Sequence, residues 1–182
     1  MPVRTQPSNP SVRDILLERN DRSLGDFNPL PLQLNLPAII LTCMDPRVHP
    51  ADALGIERGD AVVIRNAGGR VTPEFIRDIA ILGIIAQVEG LDETQDPFEL
   101  VIVQHTDCGV SRLVDPGFAD VASTYLDVEP EQLEAEHLAD PYKAVASDIK
   151  KLQANPMIPE TLAISGAVFD VETGKVTPVE VT

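Results

Sequence analysis

The chain has 182 residues, of which 43% are hydrophobic and 24% are charged. This length and composition suit one globular domain with its own core and exclude a disordered chain. The formal net charge of −15 repels nucleic acid and anionic membranes, so we expect neither as a partner. The first ten residues hold no apolar stretch of signal-peptide length, and no run reaches the roughly 20 apolar residues of a membrane span. We therefore expect a cytoplasmic protein.

The N-terminal residues predict a short helix followed by an extended arm. Ser11 and Asp14 form a capping-box pattern at the start of a helix over residues 11–19. Residues 25–37 contain too much proline for a regular element, so we expect them to cross the surface of the domain or of a partner subunit.

The leucines of this arm need a surface to cover, which favours a homodimer or a larger homo-oligomer. They are Leu30, Leu32, Leu34 and Leu36. We therefore divide the chain into an N-terminal helix and extended arm, residues 1–37, and a main domain, residues 38–182.

Three nearly continuous apolar runs predict strands that are buried on both faces of a parallel sheet. These runs are residues 38–43, 61–65 and 99–105. A helix is predicted over residues 73–89, with Thr72 as its cap and Gly90 at its end.

The C-terminal third of the chain predicts one more helix and two more strands. The helix covers residues 142–154, and residues 162–181 predict a strand, a tight turn and an edge strand. Alternating buried strands and helices indicate an α/β fold, with a mostly parallel central sheet flanked by helices.

Two of the three apolar runs end in residues suited to metal chemistry. The first ends at Cys43, and the third ends at His105, three residues before Cys108. Because ligands bind beyond the carboxyl ends of parallel strands, we expect these side chains at one edge of the sheet. Two thiolates and an imidazole suit zinc and leave its fourth position to water or a substrate, as in a catalytic site. The alternatives are two small buried hydrophobic residues or a disulfide.

Asp45 and Arg47 follow Cys43 at intervals of two residues. In a locally extended chain such residues share a face. Asp45 can then face a metal-bound water while Arg47 holds its carboxylate ionised. The alternative is an ion pair that only stabilises the loop. After the second run, the pair Gly68-Gly69 lets the backbone approach a ligand or a neighbouring subunit, and we assign Gly68 to substrate binding.

Four segments together resemble the β-class carbonic anhydrases. They are CMDPR at 43–47, GDAVVIRNAGGRVT at 59–72, HTDCG at 105–109 and GAVFDVETGKV at 166–176. The resemblance implies a zinc lyase of the carbonate dehydratase type, with one Zn²⁺ per chain on Cys43, His105 and Cys108. Asp45 and Arg47 would be its orienting pair, and the backbone of Gly109 would lie near the substrate.

The same resemblance implies a dimer in which the N-terminal segment embraces the partner. The implied reaction is attack of zinc-bound hydroxide on carbon dioxide to give bicarbonate. Pro46, Val110 and Ser165 depart from the residues usual in the family, which affects the pocket and not the metal set. Some proteins of this fold hydrolyse carbonyl sulfide or carbon disulfide with the same zinc ligands, so a hydrolase is the alternative function. A further alternative is a catalytically idle zinc-binding interaction protein.

Overall fold

The computed structural model divides the chain into two compact units, Met1–Pro31 and Leu32–Thr182. It describes residues 10–90, 98–129, 131, 133–134 and 139–181. Among these residues, no helix combines the length and the apolar character that crossing a membrane requires.

In the first unit, helix α1 spans Val12–Ser23. Its capping box is confirmed, because the backbone N–H of Asp14 donates to Ser11 Oγ at 3.2 Å and the N–H of Ser11 donates to the Asp14 carboxylate at 3.3 Å. The helix runs past the predicted end at residue 19, since neither glycine nor proline interrupts the chain before Gly25. A 3-10 turn, Leu24–Asp26, then stands where extended chain was predicted.

The second unit is built on a five-stranded sheet in the order β2-β1-β3-β4-β5. The strands are β1 (Ala38–Cys43), β2 (Val62–Asn66), β3 (Glu99–His105), β4 (Ala163–Phe169) and β5 (Val176–Pro178). The first four are parallel, and β5 pairs antiparallel with β4 at the edge. This confirms the predicted α/β fold with a mostly parallel sheet.

Helices that accompany the sheet include α2 (Pro50–Leu54), α3 (Pro73–Glu89), α4 (Ala119–Leu126) and α5 (Pro141–Gln153). Helix α3 has the predicted bounds, with Thr72 Oγ1 accepting the N–H of Phe75 and Gly90 ending the helix in the left-handed conformation. Helix α5 packs on β3 and β4 and contributes Val145, Ile149 and Leu152 to the main core.

A short helical turn follows the carboxyl end of each of the first three strands, and none of these turns was predicted. They are the 3-10 turns Pro46–Val48 after β1, Ala67–Gly69 after β2 and Gly109–Val114 after β3. Each is too short to produce a periodic hydrophobic pattern. Together they bend the chain around one edge of the sheet, where polar and sulfur-bearing side chains gather.

Candidate metal centre

Cys43, His105 and Cys108 meet at the carboxyl edge of the sheet. Cys43 is the last residue of β1, and His105 is the last residue of the neighbouring parallel strand β3. The two sulfur atoms lie 3.8 Å apart, and the ligand atoms of all three residues lie within 4.8 Å of one another. All three side chains are buried. The structure thus brings together the three residues that the strand ends indicated.

The geometry of this cluster fits a tetrahedral zinc ion. His105 Nδ1 lies 2.9 Å from the carbonyl oxygen of Thr106, which can only accept a hydrogen bond, so the ring proton is on Nδ1. Nε2 is then unprotonated, and its lone pair can bind a metal. Nε2 is buried and has no hydrogen-bond partner among the described residues, a costly arrangement unless a metal binds it. Two Zn–S bonds of about 2.3 Å at the tetrahedral angle separate their sulfurs by about 3.8 Å, which is the separation found here.

The two thiols differ in their readiness to ionise. The hydrogen bond from Cys108 lowers the pKa of Cys43, although burial opposes this, whereas the Cys43 thiolate and burial together raise the pKa of Cys108. The backbone N–H of Asp45 also points at Cys43 Sγ, 3.4 Å away. Cys43 is therefore the readier thiolate, and ionising both sulfurs requires a cation between them.

Asp45 and Arg47 form a bidentate ion pair beside Cys43. Arg47 Nε donates to Asp45 Oδ1 at 3.0 Å, and Arg47 Nη2 donates to Oδ2 at 2.8 Å. These hydrogen bonds lower the pKa of Asp45 to about 2, so its carboxylate is ionised at neutral pH. The predicted contact is present, but the chain is not extended here. Asp45 caps the 3-10 turn Pro46–Val48, and its Oδ1 also accepts the backbone N–H of Arg47 at 2.9 Å.

Arg47 also binds Asp107, which sequence reasoning did not single out. Arg47 Nη1 donates to Asp107 Oδ2 at 2.9 Å, and Nη2 donates to the Asp107 carbonyl oxygen at 2.8 Å. Arg112 Nη2 donates to the other carboxylate oxygen, Oδ1, at 2.8 Å. The available signal was an acidic residue enclosed between two metal-ligand candidates, but its arginine partner is 60 positions away.

Arg65 supports the loop that carries Cys43 and Asp45. Its Nε donates to the carbonyl oxygen of Cys43 at 2.9 Å, and its Nη2 donates to that of Asp45 at 2.8 Å. Arg65 lies in β2 opposite Thr42 of β1, so strand pairing places it at this edge. A charged residue at the end of an otherwise apolar strand was the sequence signal for this role.

The glycine pair after β2 passes close to the metal-ligand cluster. Gly69 has φ +61°, and a β-carbon there would lie 2.7 Å from the backbone nitrogen of Cys43. Gln104 Nε2 donates to the Gly69 carbonyl oxygen at 2.7 Å, which fixes the turn from the β3 side. Only glycine fits this position without a shift of the Cys43 backbone.

A small cavity of about 20 Å³ adjoins the cluster and is lined by His105, Cys108, Gly68 and Val110 among others. Gly68 thus lines the same cavity as His105 and Cys108, while its predicted role in substrate binding stays a prediction. Gly109 opens the 3-10 turn after Cys108 and is exposed, and it is not one of the residues that line this cavity.

A buried ion pair supports the other side of this cavity. Arg70 lines it, and Arg70 Nε and Nη2 donate to the two carboxylate oxygens of Asp148 at 2.6 and 3.0 Å. Asp148 lies in α5 with a side chain that is 0% exposed, and it also accepts the backbone N–H of Val71 at 3.2 Å. Sequence reasoning missed this pair, since its members are 78 positions apart.

Comparison with known proteins identifies the family. The sequence model of the carbonic anhydrase family matches residues 38–176. Beta-carbonic anhydrase 1 of Mycobacterium tuberculosis is 32% identical over 166 residues, 91% of this chain and 96% of that protein. The carbon disulfide hydrolase of Saccharolobus solfataricus is 30% identical over 190 residues, 90% of this chain and 86% of that protein.

The solved structure of carbonic anhydrase from Streptococcus mutans has a TM-score of 0.75 against this fold, at 35% sequence identity. The match covers 94% of this chain and 99% of that one. The extent of the family match, these identities and the shared fold agree with the segments first noticed in the sequence. The chain therefore belongs to the β-carbonic anhydrase family, an enzyme family of the lyase class.

Proposed function

We propose that this protein hydrates carbon dioxide to bicarbonate at one zinc ion per chain, held by Cys43, His105 and Cys108. The observation that carries the proposal is the buried cysteine–histidine–cysteine cluster next to an ionised Asp45. Membership of the β-carbonic anhydrase family supports the same reaction. An idle zinc-binding protein would have no need for the Asp45–Arg47 pair at this place.

In such a site zinc supplies Lewis-acid chemistry, lowering the pKa of a bound water to about 7 in favourable cases. The protein supplies orientation. The Asp45 carboxylate, kept ionised by Arg47, can only accept a hydrogen bond, so it fixes the remaining proton of the reacting water and turns a lone pair towards the substrate. Gly68, in the cavity wall, and Gly109, next to Cys108, are the proposed backbone neighbours of carbon dioxide.

Carbon dioxide is the substrate we propose, because the beta-carbonic anhydrase 1 relative is matched over 96% of its length, at 32% identity. Carbon dioxide is the smallest of the three linear substrates, whereas carbonyl sulfide and carbon disulfide are longer because of their sulfur atoms. Carbon disulfide hydrolysis is nevertheless the second candidate, because the S. solfataricus relative of that name is 30% identical to this chain.

The test is one zinc-loaded preparation assayed three ways. Carbon dioxide hydration is followed by stopped-flow with a pH indicator, and hydrogen sulfide release is followed with carbonyl sulfide and with carbon disulfide. Cys108→Ser, which removes one ligand, gives the blank for all three assays, and metal analysis of both proteins gives the zinc content. We expect about one zinc per chain and the highest kcat/KM with carbon dioxide. A kcat/KM about tenfold higher with either sulfur compound would make the protein a hydrolase instead.

The same proposal includes a homodimer as the working unit. Several leucines around the end of the N-terminal arm are exposed, namely Leu30, Leu32 and Leu36. Helix α3 likewise exposes Ile81, Ile84, Ile85 and Val88, with Ile84 61% accessible. Apolar surface of this kind on a highly charged protein is typical of a subunit contact.

A further inference from the structure

Asp107 lies between two of the proposed zinc ligands but makes its side-chain hydrogen bonds with arginines. Its Oδ2 and its carbonyl oxygen both accept from Arg47, at 2.9 and 2.8 Å. Its Oδ1 accepts from Arg112 at 2.8 Å. Asp107, in the segment between β3 and Cys108, thus binds the arginine that follows β1 through its side chain and its backbone together.

The backbone of Asp107 is in the left-handed region, with φ +51°. Residues with a β-carbon avoid this region, and asparagine and aspartate tolerate it best. In this conformation the carbonyl oxygen and the carboxylate of one residue reach the same guanidinium group. The loop therefore has a shape that serves the contact with Arg47.

The guanidinium of Arg47 is held from two sides. Nε and Nη2 donate to Asp45, while Nη1 and Nη2 donate to Asp107. The Arg47 side chain is 45% exposed, and an ion pair this open to solvent is loosely held when it has only one partner. Asp107 adds the second partner, and Arg112 in turn fixes Asp107.

We propose that Asp107, braced by Arg112, is a positioning residue that fixes the Arg47 guanidinium and, through it, the carboxylate of Asp45. This inference rests on the proposed function, in which Asp45 orients the reacting water. It assigns a role to a series of four ion-paired residues that connects the segment after β1 with the segment after β3. The four are Asp45, Arg47, Asp107 and Arg112. Asp107 and Arg112 act through Arg47 and touch neither the water nor the substrate.

The central variant is Asp107→Asn, which keeps a residue suited to the left-handed backbone and removes the charge. The matched control is Asp115→Asn, which removes one charge from an exposed aspartate at the end of the 3-10 turn that contains Arg112. We expect Asp107→Asn to lower kcat for carbon dioxide hydration by about tenfold while zinc content is unchanged and KM changes by less than about twofold. The control should match the wild-type protein in all three quantities.

The spectroscopic readout is the ¹⁵N–¹H signal of the Arg47 Nε–Hε group, assigned by its disappearance in Arg47→Lys. We expect this signal to shift and to exchange faster with solvent in Asp107→Asn, because the guanidinium has lost its second partner. Arg112→Ala should produce the same changes in smaller measure. The double variant Asp107→Asn with Arg112→Ala should be no worse than Asp107→Asn alone, since Arg112 acts through Asp107.

Two results would overturn the inference. One is an Asp107→Asn protein with unchanged kcat and an unchanged Arg47 signal. The other is a loss of zinc or of thermal stability that accounts for the whole loss of activity, with kcat per bound zinc unchanged, since this would make Asp107 a structural residue only. If the wild-type protein hydrates no carbon dioxide, the proposed function fails, and the Arg47 signal alone then decides whether Asp107 positions the guanidinium.

Discussion

The carboxylate of Asp45 accepts three hydrogen bonds, all from Arg47. These bonds take up most of the positions at which the carboxylate can accept a hydrogen bond. Asp45→Asn keeps the shape but replaces one acceptor oxygen with an NH₂ donor, which would face either Arg47 or the reacting water. We expect zinc to stay bound and kcat to fall by at least about tenfold. Metal analysis and stopped-flow hydration measure both quantities, and unchanged turnover would remove Asp45 from the mechanism.

The pH dependence of this variant gives a second check. Hydrogen bonds from Arg47 depress the pKa of Asp45 to about 2, so the carboxylate is ionised above about pH 4 and becomes protonated only as the pH falls towards 2. The ratio of wild-type to Asp45→Asn kcat/KM should therefore be constant from about pH 6 to about pH 9. A ratio that changes steeply within this range would show that Asp45 titrates there.

Gly69 offers a test of how closely the turn after β2 must approach Cys43. Gly69→Ala would combine a strained φ of +61° with a contact of 2.7 Å between the new β-carbon and the Cys43 backbone nitrogen. Gly174→Ala is the matched control, because Gly174 has φ +72° and no atom within 4 Å of a β-carbon. The control should lose about 1–2 kcal/mol of unfolding free energy from strain alone.

We expect Gly69→Ala to lose clearly more unfolding free energy than Gly174→Ala does. It should also bind zinc more weakly, because Cys43 must move. Urea unfolding and metal analysis of the two variants separate the effect of the steric contact with Cys43 from the effect of the strained φ, which both variants share. Equal losses of stability in both variants, with zinc retained, would contradict a role for the close approach.

Among the elements, helix α5 brings a carboxylate into the core. Asp148 accepts hydrogen bonds from the buried guanidinium of Arg70 and from the backbone of Val71. Removing one partner of a buried ion pair is strongly destabilising. We expect Asp148→Asn to lower the free energy of unfolding by about 3 kcal/mol or more in urea titrations. Lys151 Nζ lies 3.3 Å from Asp148 Oδ1, but its side chain is half-exposed. Lys151→Gln should therefore lower the free energy of unfolding by less than about 1 kcal/mol.

Equal effects of Asp148→Asn and Lys151→Gln would contradict a structural role for the buried pair. A loss of activity in Asp148→Asn beyond its loss of folded protein would show that the wall of the cavity has moved, because Arg70 lines it.

The regular elements could be predicted because each leaves a local pattern in the sequence. Strands β1 and β3 are nearly continuous apolar runs, and α3 has both a capping threonine and a terminal glycine. The meeting of Cys43, His105 and Cys108 followed from these strands, since parallel neighbours end at the same edge. The 3-10 turns after the strands left no comparable pattern, and the extended chain expected between Asp45 and Arg47 was wrong for that reason.

The long-range charged contacts could not be predicted, because their partners are distant in the sequence. Arg47 and Asp107 are 60 positions apart, and Arg70 and Asp148 are 78 apart. Nothing in one segment indicates the partner in the other. Only the register of the sheet, and the packing of α5 upon it, decides which charges meet.

For the whole molecule, the proposed dimer is the first property to measure. Light scattering at micromolar concentration should give at least twice the mass of the 19.7 kDa chain. Deleting residues 1–30 should weaken association, because Leu24 and Phe27 of this segment are exposed and Leu30 is removed with them. A monomeric wild-type protein would refute the dimer, and an unchanged mass after the deletion would assign the contact to other surfaces such as α3.

The place of β1 between β2 and β3 has a consequence for the kinetics of folding. Thr42 and Val103, adjacent in the sheet, are 61 positions apart, so Cys43 and His105 meet only after a long loop has closed. We therefore predict that the proposed metal ligands assemble after the transition state for folding, so that an ion that binds all three stabilises the native state more than that transition state. Zinc should accordingly slow unfolding while leaving the refolding rate nearly unchanged, which stopped-flow measurements with and without the metal can establish. Refolding accelerated by zinc would instead mean that the two thiols and the imidazole are captured early, with the metal itself drawing β1 onto β3.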